Sequence, residues 1–475
     1  MRLPTSFQSI RAALENGTLT CAQLVEHYLE NIQERNDLNA FLEVFEDEAR
    51  SKAAEIDEKL VSNTAGRLAG MVISIKDVLC YEDHNLQASS KILGGFESQF
   101  TATAVERLLA EDAIIIGRTN CDEFAMGSSN ENSAFGPVLN AADRERVPGG
   151  SSGGAAVSVQ ADLCLVALGS DTGGSVRQPA AFCGVIGLKP TYSRISRHGL
   201  VAYASSFDSI GVFAKEVEDI ARVLEVIAGE DDFDSTVSRH KVGHYSDNIT
   251  AHTQNYKLAY VKETLESPGL SESIKTNILG HIEELKAAGH TVEQVNFPLL
   301  EHILPTYYIL TWAEASSNLS RFDGVRYGYR SPNTTDLSSL YKKTRTEGFG
   351  EEVKRRIMLG TFVLSASYYD AYYTKAQKTR KLIRDQTKAI LQEYDFIITP
   401  TTPTTAFKLG EHSQDPLEMY LADLYTVQPS VAGLPAISLP SGMDEKNLPI
   451  GLQVIADDFK EKELLKFSHY FLNLN

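Results

Sequence analysis

Two glycine- and serine-rich stretches of this sequence carry residue types that could break an amide bond. The first stretch surrounds Ser151, and the second ends in Ser175 with two glycines directly before it. Lys76 lies upstream of both, immediately after a mainly apolar run. His84 is the only histidine between Lys76 and Ser175. This pattern favours a serine nucleophile that is activated by a lysine instead of by a histidine.

A lysine can take the proton of a serine hydroxyl only while its own amine is neutral. Its pKa must therefore fall well below the ordinary value of about 10.4. Burial lowers the pKa of a lysine, because it disfavours the charged ammonium form. The apolar residues before Lys76 predict such burial. Asp77 would oppose the shift if its carboxylate pointed inward, so we expect it to point away.

Both stretches are followed by sequence that is typical of a helix. A loop that opens a helix presents unpaired backbone N–H groups, which suit an anion or a developing oxyanion. A phosphate-binding loop is one alternative, but the Walker pattern needs a lysine and a hydroxyl residue after its last glycine, and neither stretch has them. A flexible linker is another alternative, and the apolar segments beside both stretches argue against it.

Three further motifs are excluded by their context. Residues 149–153 match the pattern of a nucleophile elbow, which needs a strand directly before it, whereas residues 141–148 are polar. Residues 171–173 match an aspartic protease motif, but the sequence has no second copy. Cys183 lacks the glycine expected two residues before a nucleophilic cysteine, so we expect it in the core.

Composition limits the class of protein. The 475 residues are 43% hydrophobic, which allows a sizeable core, and the net charge of −18 disfavours tight binding of nucleic acid by this chain alone. The odd number of cysteines, without a Cys-x-x-Cys pair, indicates a reducing compartment and no metal site. No apolar run is long enough to span a bilayer and the first eight residues contain no signal core, so we expect a soluble, cytoplasmic protein. The cysteines are Cys21, Cys80, Cys121, Cys164 and Cys183.

Strand-like and helix-like segments alternate after a helical N-terminal part at 1–60, in which Thr20 is a predicted helix cap. Residues 303–392 are mainly helical. We therefore predict an α/β fold, a single large domain (1–475) with a central mixed β-sheet covered by helices on both faces. The predicted strands are 72–75, 113–116, 163–168, 185–188, 257–261, 291–295, 396–398, 436–439 and 451–455. The predicted helices include 46–60, 103–110, 154–160, 175–182, 271–288 and 461–472.

Lys76, the loop at 149–154 and the stretch at 169–180 together resemble the amidase signature family. The resemblance implies that family's fold, with Ser175 as the nucleophile, Ser151 as a bridging serine and Lys76 as the base. Ser151 would then pass the proton of Ser175 to Lys76, since a hydroxyl both donates and accepts. The resemblance also implies an oxyanion hole made by backbone N–H groups, those of Thr172, Gly173, Gly174 and Ser175. Asp171 and Arg177, on either side of the nucleophile, are expected to form a structural ion pair.

Within that family, three flanking segments resemble the glutamine-hydrolysing subunits of tRNA-dependent amidotransferases, and the resemblance covers about residues 5–470. It implies that Arg356 holds the α-carboxylate of glutamine and that Asp423 holds its α-amino group. It also implies that Tyr307 lines the same pocket and that residues 303–392 form part of that pocket. Arg355 adjoins Arg356, and a solvated basic helix face is the alternative for both. The flanking segments are 120–128, 187–191 and 314–319.

The resemblance implies that the chain releases ammonia from glutamine for a partner. That partner, a B subunit, would use ATP and Mg²⁺ to convert Glu-tRNA(Gln) to Gln-tRNA(Gln) and would bind most of the tRNA. A small C subunit would complete a heterotrimer, and this chain itself would need no cofactor, metal or membrane. The alternatives are a stand-alone amide hydrolase of the same fold and a non-catalytic scaffold.

The sequence departs from the family pattern at three places. Ala155 stands where a serine usually follows the glycine pair, and Ser193 stands where a glycine is often found. The segment Gln428-Pro429-Ser430 differs from the more common Pro-Ala-Asn. None of these changes removes Lys76 or either serine, but the last one bears on the shape of the glutamine pocket.

Overall fold

The computed structural model describes residues 5–251, 255–412 and 416–474. Within them, eleven strands form one sheet. The first four residues of the predicted helical N-terminal part lie outside the described residues. The strands are β1 (Phe41–Val44), β2 (Val72–Lys76), β3 (Ile114–Thr119), β4 (Val166–Asp171), β5 (Ile186–Lys189), β6 (Ser209–Ala214), β7 (Lys257–Val261), β8 (Thr291–Val295), β9 (Phe396–Pro400), β10 (Ala436–Met443) and β11 (Pro449–Ile455).

Helices connect and cover these strands, together with short 3₁₀ turns and a π-helix at Asp370–Thr374. None of the helices in the described ranges is long and apolar enough to cross a membrane. The α-helices are α1 (Phe7–Glu15), α2 (Cys21–Glu34), α3 (Glu46–Val61), α4 (Thr103–Ala110), α5 (Gly153–Gln160), α6 (Arg177–Cys183), α7 (Val217–Ile227), α8 (Lys262–Leu265), α9 (Glu272–Ala287), α10 (Leu300–Asn318), α11 (Leu337–Gly348), α12 (Glu351–Val363), α13 (Lys375–Glu393), α14 (Pro416–Leu421), α15 (Val427–Ala432) and α16 (Glu461–Leu472).

The sheet is mixed, as predicted. Its strand order is β1-β3-β2-β4-β6-β5-β10-β11-β9-β7-β8. Strand β2 runs parallel to both of its neighbours, β3 and β4, and β7 runs parallel to β8 and β9. The remaining pairs are antiparallel. Each half of the sheet thus contains a group of parallel strands, and antiparallel pairs join the two groups.

The parallel pairing of β2 with β4 brings the residues of chemical interest to one end of these strands. Both strands are buried along their whole length, and Lys76 and Asp171 are their last residues. Helix α5 begins next to these strand ends and packs closely there, because a Cβ at Gly154 would lie 2.4 Å from the carbonyl oxygen of Asn120. Only glycine fits at 154, so the loop around Ser151 is held against the ends of the strands.

Most predicted elements are present, with shifted boundaries. The helix predicted to begin at Ser175 begins at Arg177, because Ser175 belongs to the loop after β4. Thr20 does cap α2, in a reciprocal capping box with Gln23. The prediction omitted β1, β6, α7, α8, α14 and α15. Strand β1 lies inside the part predicted to be helical, where it adds an edge to the sheet beside β3.

The region 303–392 is mainly helical, as predicted, and α10 and α12 pack against each other at Gly360. A Cβ at this position would lie 1.9 Å from the carbonyl oxygen of Trp312. The close approach of the two helices therefore depends on the absence of a side chain, and it fixes the position of Arg356 one turn earlier on α12.

We expect Gly360→Ala to destabilise the protein by at least about 1–3 kcal/mol, because the new methyl group forces α10 and α12 apart. Gly280→Ala is the matched control, since Gly280 is also helical and a Cβ there meets nothing within 4 Å. That change should instead stabilise by up to about 1 kcal/mol through helix propensity. Denaturant unfolding measures both, and equal effects would contradict the packing described.

Candidate active site

The amine of Lys76 is buried among three serine hydroxyls. Its Nζ donates hydrogen bonds to Ser151 Oγ at 2.8 Å, to Ser152 Oγ at 2.9 Å and to Ser170 Oγ at 2.9 Å. Lys76 is fully buried. In the parts of the chain that the structure describes, no carboxylate forms an ion pair with it. Three parts of the chain thus meet at one nitrogen atom: the end of β2, the glycine-rich loop at 149–154 and the end of β4.

Burial lowers the pKa of Lys76, and the charges of Asp122, Asp171 and Asp208 only partly oppose this. A neutral amine keeps two N–H donors and gains a lone pair, so one of its hydroxyl partners must donate to it. The Ser152 hydroxyl already donates to the carbonyl oxygen of Ser170 at 3.0 Å. The hydroxyls that can donate to a neutral Lys76 are therefore those of Ser151 and Ser170.

Asp77 points away from Lys76, as expected. Its carboxylate accepts hydrogen bonds from the backbone N–H groups of Gln87 at 3.0 Å and Ser89 at 2.7 Å. It also forms a buried ion pair with Arg118 on β3. This acid therefore neutralises an arginine and leaves the lysine without an adjacent counter-charge.

Ser175 lies in the loop between β4 and α6, with its main chain next to the serines that hold Lys76. Its carbonyl oxygen accepts a hydrogen bond from the N–H of Ser152 at 3.2 Å. No hydrogen bond among the described residues uses the Ser175 hydroxyl, so the expected contact with Ser151 is not formed in this conformation. The hydroxyl is available to a ligand.

The backbone N–H groups of the second glycine loop are also available. Among residues 5–251, 255–412 and 416–474, no protein acceptor is bonded to the N–H of Thr172, Gly173, Gly174 or Ser175. Gly174 cannot be replaced without strain, because its φ is +147° and a Cβ would lie 2.1 Å from Thr426 Oγ1. The loop therefore presents donors at the place where the sequence predicts an oxyanion hole.

Asp171 and Arg177 form the expected structural ion pair beneath this loop. The guanidinium donates to both carboxylate oxygens, at 3.0 and 2.8 Å, and neither side chain is exposed. Burial raises the pKa of Asp171, but the charge of Arg177 outweighs this effect and holds that pKa below its ordinary value. Arg177 also donates to the Thr426 carbonyl at 2.6 Å and to Ser430 Oγ at 2.9 Å. Ser430, one of the departures from the family pattern, is thus a hydrogen-bond partner of this pair.

The structure distinguishes Arg356 from Arg355. Arg355 is exposed, whereas Arg356 is buried and donates to Glu352 at 2.7 Å and to Tyr203 at 2.9 Å. The guanidinium of Arg356 also lies 5.7 Å from the ring centre of Tyr308. Arg356 is therefore not part of a solvated helix face. It lines a cavity of about 200 Å³ together with residues of the loop 127–132 and of α12, among them the exposed Arg355.

Asp423 and Tyr307 lie in the same region. The Asp423 carboxylate accepts hydrogen bonds from Ser128 Oγ at 2.7 Å and from the Tyr308 hydroxyl at 3.0 Å, and burial raises its pKa to about 6. Tyr307 is buried against the second glycine loop, since a Cβ at Gly173 would lie 2.4 Å from the Tyr307 hydroxyl oxygen. Tyr307 therefore adjoins the backbone that would hold an oxyanion.

Sequence reasoning missed several residues of this site. Ser152 and Ser170 hold Lys76, and Ser128 and Tyr308 hold Asp423. The contact between Ser170 and Lys76 depends on the parallel register of β2 and β4, which pairs Ile75 with Leu168 and which no local pattern in the sequence specifies. No pattern in the sequence indicates the partners of Asp423.

Comparisons with known proteins agree with this architecture. The chain belongs to the amidase family, whose model matches residues 23–465. A relative from Chlorobium phaeobacteroides, named as the A subunit of glutamyl-tRNA(Gln) amidotransferase, is 52% identical over 97% of each chain. A relative of the same name from Chlorobaculum tepidum is 50% identical over 98% of each chain.

Solved structures show the same likeness. The crystal structure of the A subunit of glutamyl-tRNA(Gln) amidotransferase from Thermotoga maritima has a TM-score of 0.77 and 39% identity, with 94% of this chain and 93% of that chain covered. A structure described as an amidase has a TM-score of 0.82 at 27% identity, with 98% and 99% covered. The family's fold therefore extends over nearly the whole chain.

We expect the stability of Lys76→Met to differ from that of the native protein in a pH-dependent way. Because the pKa of Lys76 is lower in the folded than in the unfolded chain, the native protein gains stability as pH rises toward the ordinary lysine value. The variant lacks this gain, so its relative stability should be greatest at low pH and decline as pH rises. Unfolding free energies across pH measure the slope. Lys446→Met, which removes an exposed lysine, is the matched control, and a flat difference for Lys76→Met would contradict a lowered pKa.

Proposed function

We propose that this protein hydrolyses glutamine and supplies the ammonia to a tRNA-dependent amidotransferase that makes Gln-tRNA(Gln) from Glu-tRNA(Gln). The observation that carries the proposal is the hydrogen bond of the buried Lys76 amine to Ser151. Beside it, the loop 172–175 offers the Ser175 hydroxyl and four backbone N–H groups that are unbonded within the described ranges. Relatives about half identical over nearly their whole length, all named as the A subunit of that enzyme, support the choice of reaction.

The proposed reaction begins when Ser175 Oγ attacks the side-chain carboxamide carbon of glutamine. The hydroxyl proton passes to Ser151 as the Ser151 proton passes to neutral Lys76, and the N–H groups of residues 172–175 stabilise the oxyanion. The C–N bond then breaks, and the proton returns from Lys76 through Ser151 to the departing nitrogen, which leaves as ammonia. Water hydrolyses the resulting ester, so glutamate is released and Ser175 regains its proton.

Substrate recognition in this proposal uses two buried charged side chains, those of Arg356 and Asp423. Arg356 binds the α-carboxylate of glutamine, and Asp423 binds its α-ammonium group while Tyr307 packs beside them. A guanidinium suits a carboxylate because its donors are arranged in a planar fork. Burial raises the pKa of Asp423 to about 6, which is still below neutral pH, and a bound ammonium group would favour the charged carboxylate further.

The remaining chemistry belongs to other subunits in this proposal. A B subunit would hold ATP, Mg²⁺ and most of the tRNA, and a small C subunit would complete a heterotrimer. The net charge of −18 supports a tRNA site elsewhere, since like charges repel the phosphate backbone. The cysteines are all buried as free thiols, which supports a reducing compartment such as the cytoplasm.

A stand-alone amide hydrolase is the second candidate, favoured by the structural likeness to a protein described as an amidase. The two candidates differ in their need for partners. The proposed amidotransferase component hydrolyses glutamine efficiently only in its assembly, whereas a stand-alone enzyme would hydrolyse simple amides without one.

We expect Ser175→Ala to lower kcat for glutamine hydrolysis by the assembled enzyme by at least about 10³-fold, because it removes the nucleophile. Ser209→Ala is the control. Ser209 is a buried serine on β6, next to β4, and its hydroxyl has no hydrogen-bond partner within the described ranges. It should leave kcat within about twofold. Undiminished hydrolysis by Ser175→Ala would exclude the mechanism and favour a scaffold.

We expect Arg356→Lys to raise KM for glutamine by roughly tenfold or more, because lysine cannot reproduce the fork of donors. Arg355→Lys makes the same change at the neighbouring position, which also borders the cavity but is exposed to solvent, so it should raise KM much less. Steady-state kinetics of both variants separates the buried from the exposed arginine. An equal response would remove Arg356 from the glutamine pocket.

A further inference from the structure

Five large apolar and aromatic side chains are exposed at the end of α12, in the turn that follows it and in the π-helix after that turn. Met358 is 72% exposed and Phe362 is 43% exposed, although both side chains are apolar. Three of the rings pack on one another, with Phe362 4.3 Å from Tyr368 and 5.8 Å from Tyr372 between ring centres. We call this group the aromatic cap; its members are Met358, Phe362, Tyr368, Tyr369 and Tyr372.

The composition of the aromatic cap is that of a protein interface. Methionine and aromatic residues are enriched where proteins bind each other, and they supply much of the binding energy. Single exposed apolar residues are common on any surface, whereas a contiguous group marks an interaction site. The tyrosine hydroxyls keep such a group compatible with water while the chain is free.

The aromatic cap lies on the same helix as the proposed glutamine pocket. Glu352 and Arg356 line the cavity near the start of α12, and Phe362 lies six residues after Arg356. Six residues of an α-helix span about 9 Å. A protein bound to the cap would therefore lie close to the proposed glutamine pocket.

The charge beside the aromatic cap differs from that of the rest of the chain. Lys375 and Lys378 follow the π-helix at the start of α13, and both are exposed. Neither takes part in an ion pair within the described ranges, whereas the next lysine, Lys381, is paired with Asp385. Although Asp370 is exposed in the π-helix, the two unpaired lysines form a local basic border in a chain with a net charge of −18. It complements a partner with acidic residues around an apolar groove.

We propose that the aromatic cap and its basic border bind the ammonia-consuming subunit of the amidotransferase, through an apolar groove with an acidic rim on that partner. This inference rests on the proposed function. A nucleic acid fits less well, because two or three lysines neutralise few phosphates and the chain is acidic. A second copy of this chain fits less well too, because the same basic border would face itself across a symmetric contact.

The test compares the full chain with the double variant Phe362→Ser/Tyr372→Ser, each mixed with the co-produced remaining subunits of the same organism's amidotransferase. Biolayer interferometry should show affinity at least about tenfold weaker for the variant. Leu279→Ser is the control, since Leu279 is 40% exposed on the distant helix α9 and should bind like the native chain. Unchanged thermal unfolding shows that the double variant is folded, and native-like binding by a folded double variant would overturn the proposal.

The basic border has its own test. Lys375→Glu/Lys378→Glu should slow association with the same subunits severalfold at low salt, with a smaller effect at high salt. Lys446→Glu/Lys241→Glu makes the same change in net charge on exposed residues elsewhere. It should therefore slow association less than Lys375→Glu/Lys378→Glu does. Equal association rates for the two double variants would overturn the role of the border.

Further outcomes separate this inference from other occupants and from the proposed function. If the isolated chain forms dimers, or binds tRNA, and Phe362→Ser/Tyr372→Ser abolishes that binding, the cap serves a second copy or a nucleic acid and the inference is overturned. Ser175→Ala should assemble with native affinity, because Ser175 is not part of the cap. Normal assembly of Ser175→Ala with undiminished hydrolysis would refute the proposed mechanism and leave the docking surface standing.

Discussion

The burial of one lysine amine without a counter-ion is the constraint on which the architecture of the site depends. Removing an ammonium group from water is costly unless its charge is paired, and here the group loses its charge more easily instead. Three serine hydroxyls from a loop and a strand provide its hydrogen bonds. Fully buried parallel strands are needed to exclude water from Lys76, and a glycine-rich loop is needed to bring Ser151 and Ser152 within reach.

A second set of buried groups holds the loops around that amine in fixed positions. The backbone N–H of Asp122 donates to the carbonyl oxygen of Ser151 at 3.0 Å, while its carboxylate accepts from the N–H groups of Asn130 and Asn132. Arg177 ties the nucleophile loop to α15 and β11. Because these anchors are made within the protein, the donors need little rearrangement when a charge develops on a substrate, which is the physical basis of electrostatic stabilisation.

The alternation of strands and helices and the positions of Lys76, Ser151 and Ser175 could be predicted, because short apolar runs and glycine loops are local signals. Ser170 could not, since its contact with Lys76 depends on how β2 and β4 align. Strand β1 is four half-buried residues without a clear alternation, so only its pairing with β3 defines it. Burial of Arg356 in place of Arg355 depends on α12 packing against α10, which no single helix pattern specifies. Local structural elements were therefore predictable, whereas most contacts between distant elements were not.

The central claim is that Ser175 becomes esterified by the glutamyl group of glutamine. The most direct measurement mixes the assembled enzyme with glutamine, quenches with acid within the first turnovers and maps the modified peptide by mass spectrometry. The account predicts a γ-glutamyl ester on Ser175 and none when Ser175 is replaced by alanine. An adduct on Ser151 or on the buried Cys183, or continued hydrolysis with no adduct at any serine, would contradict it.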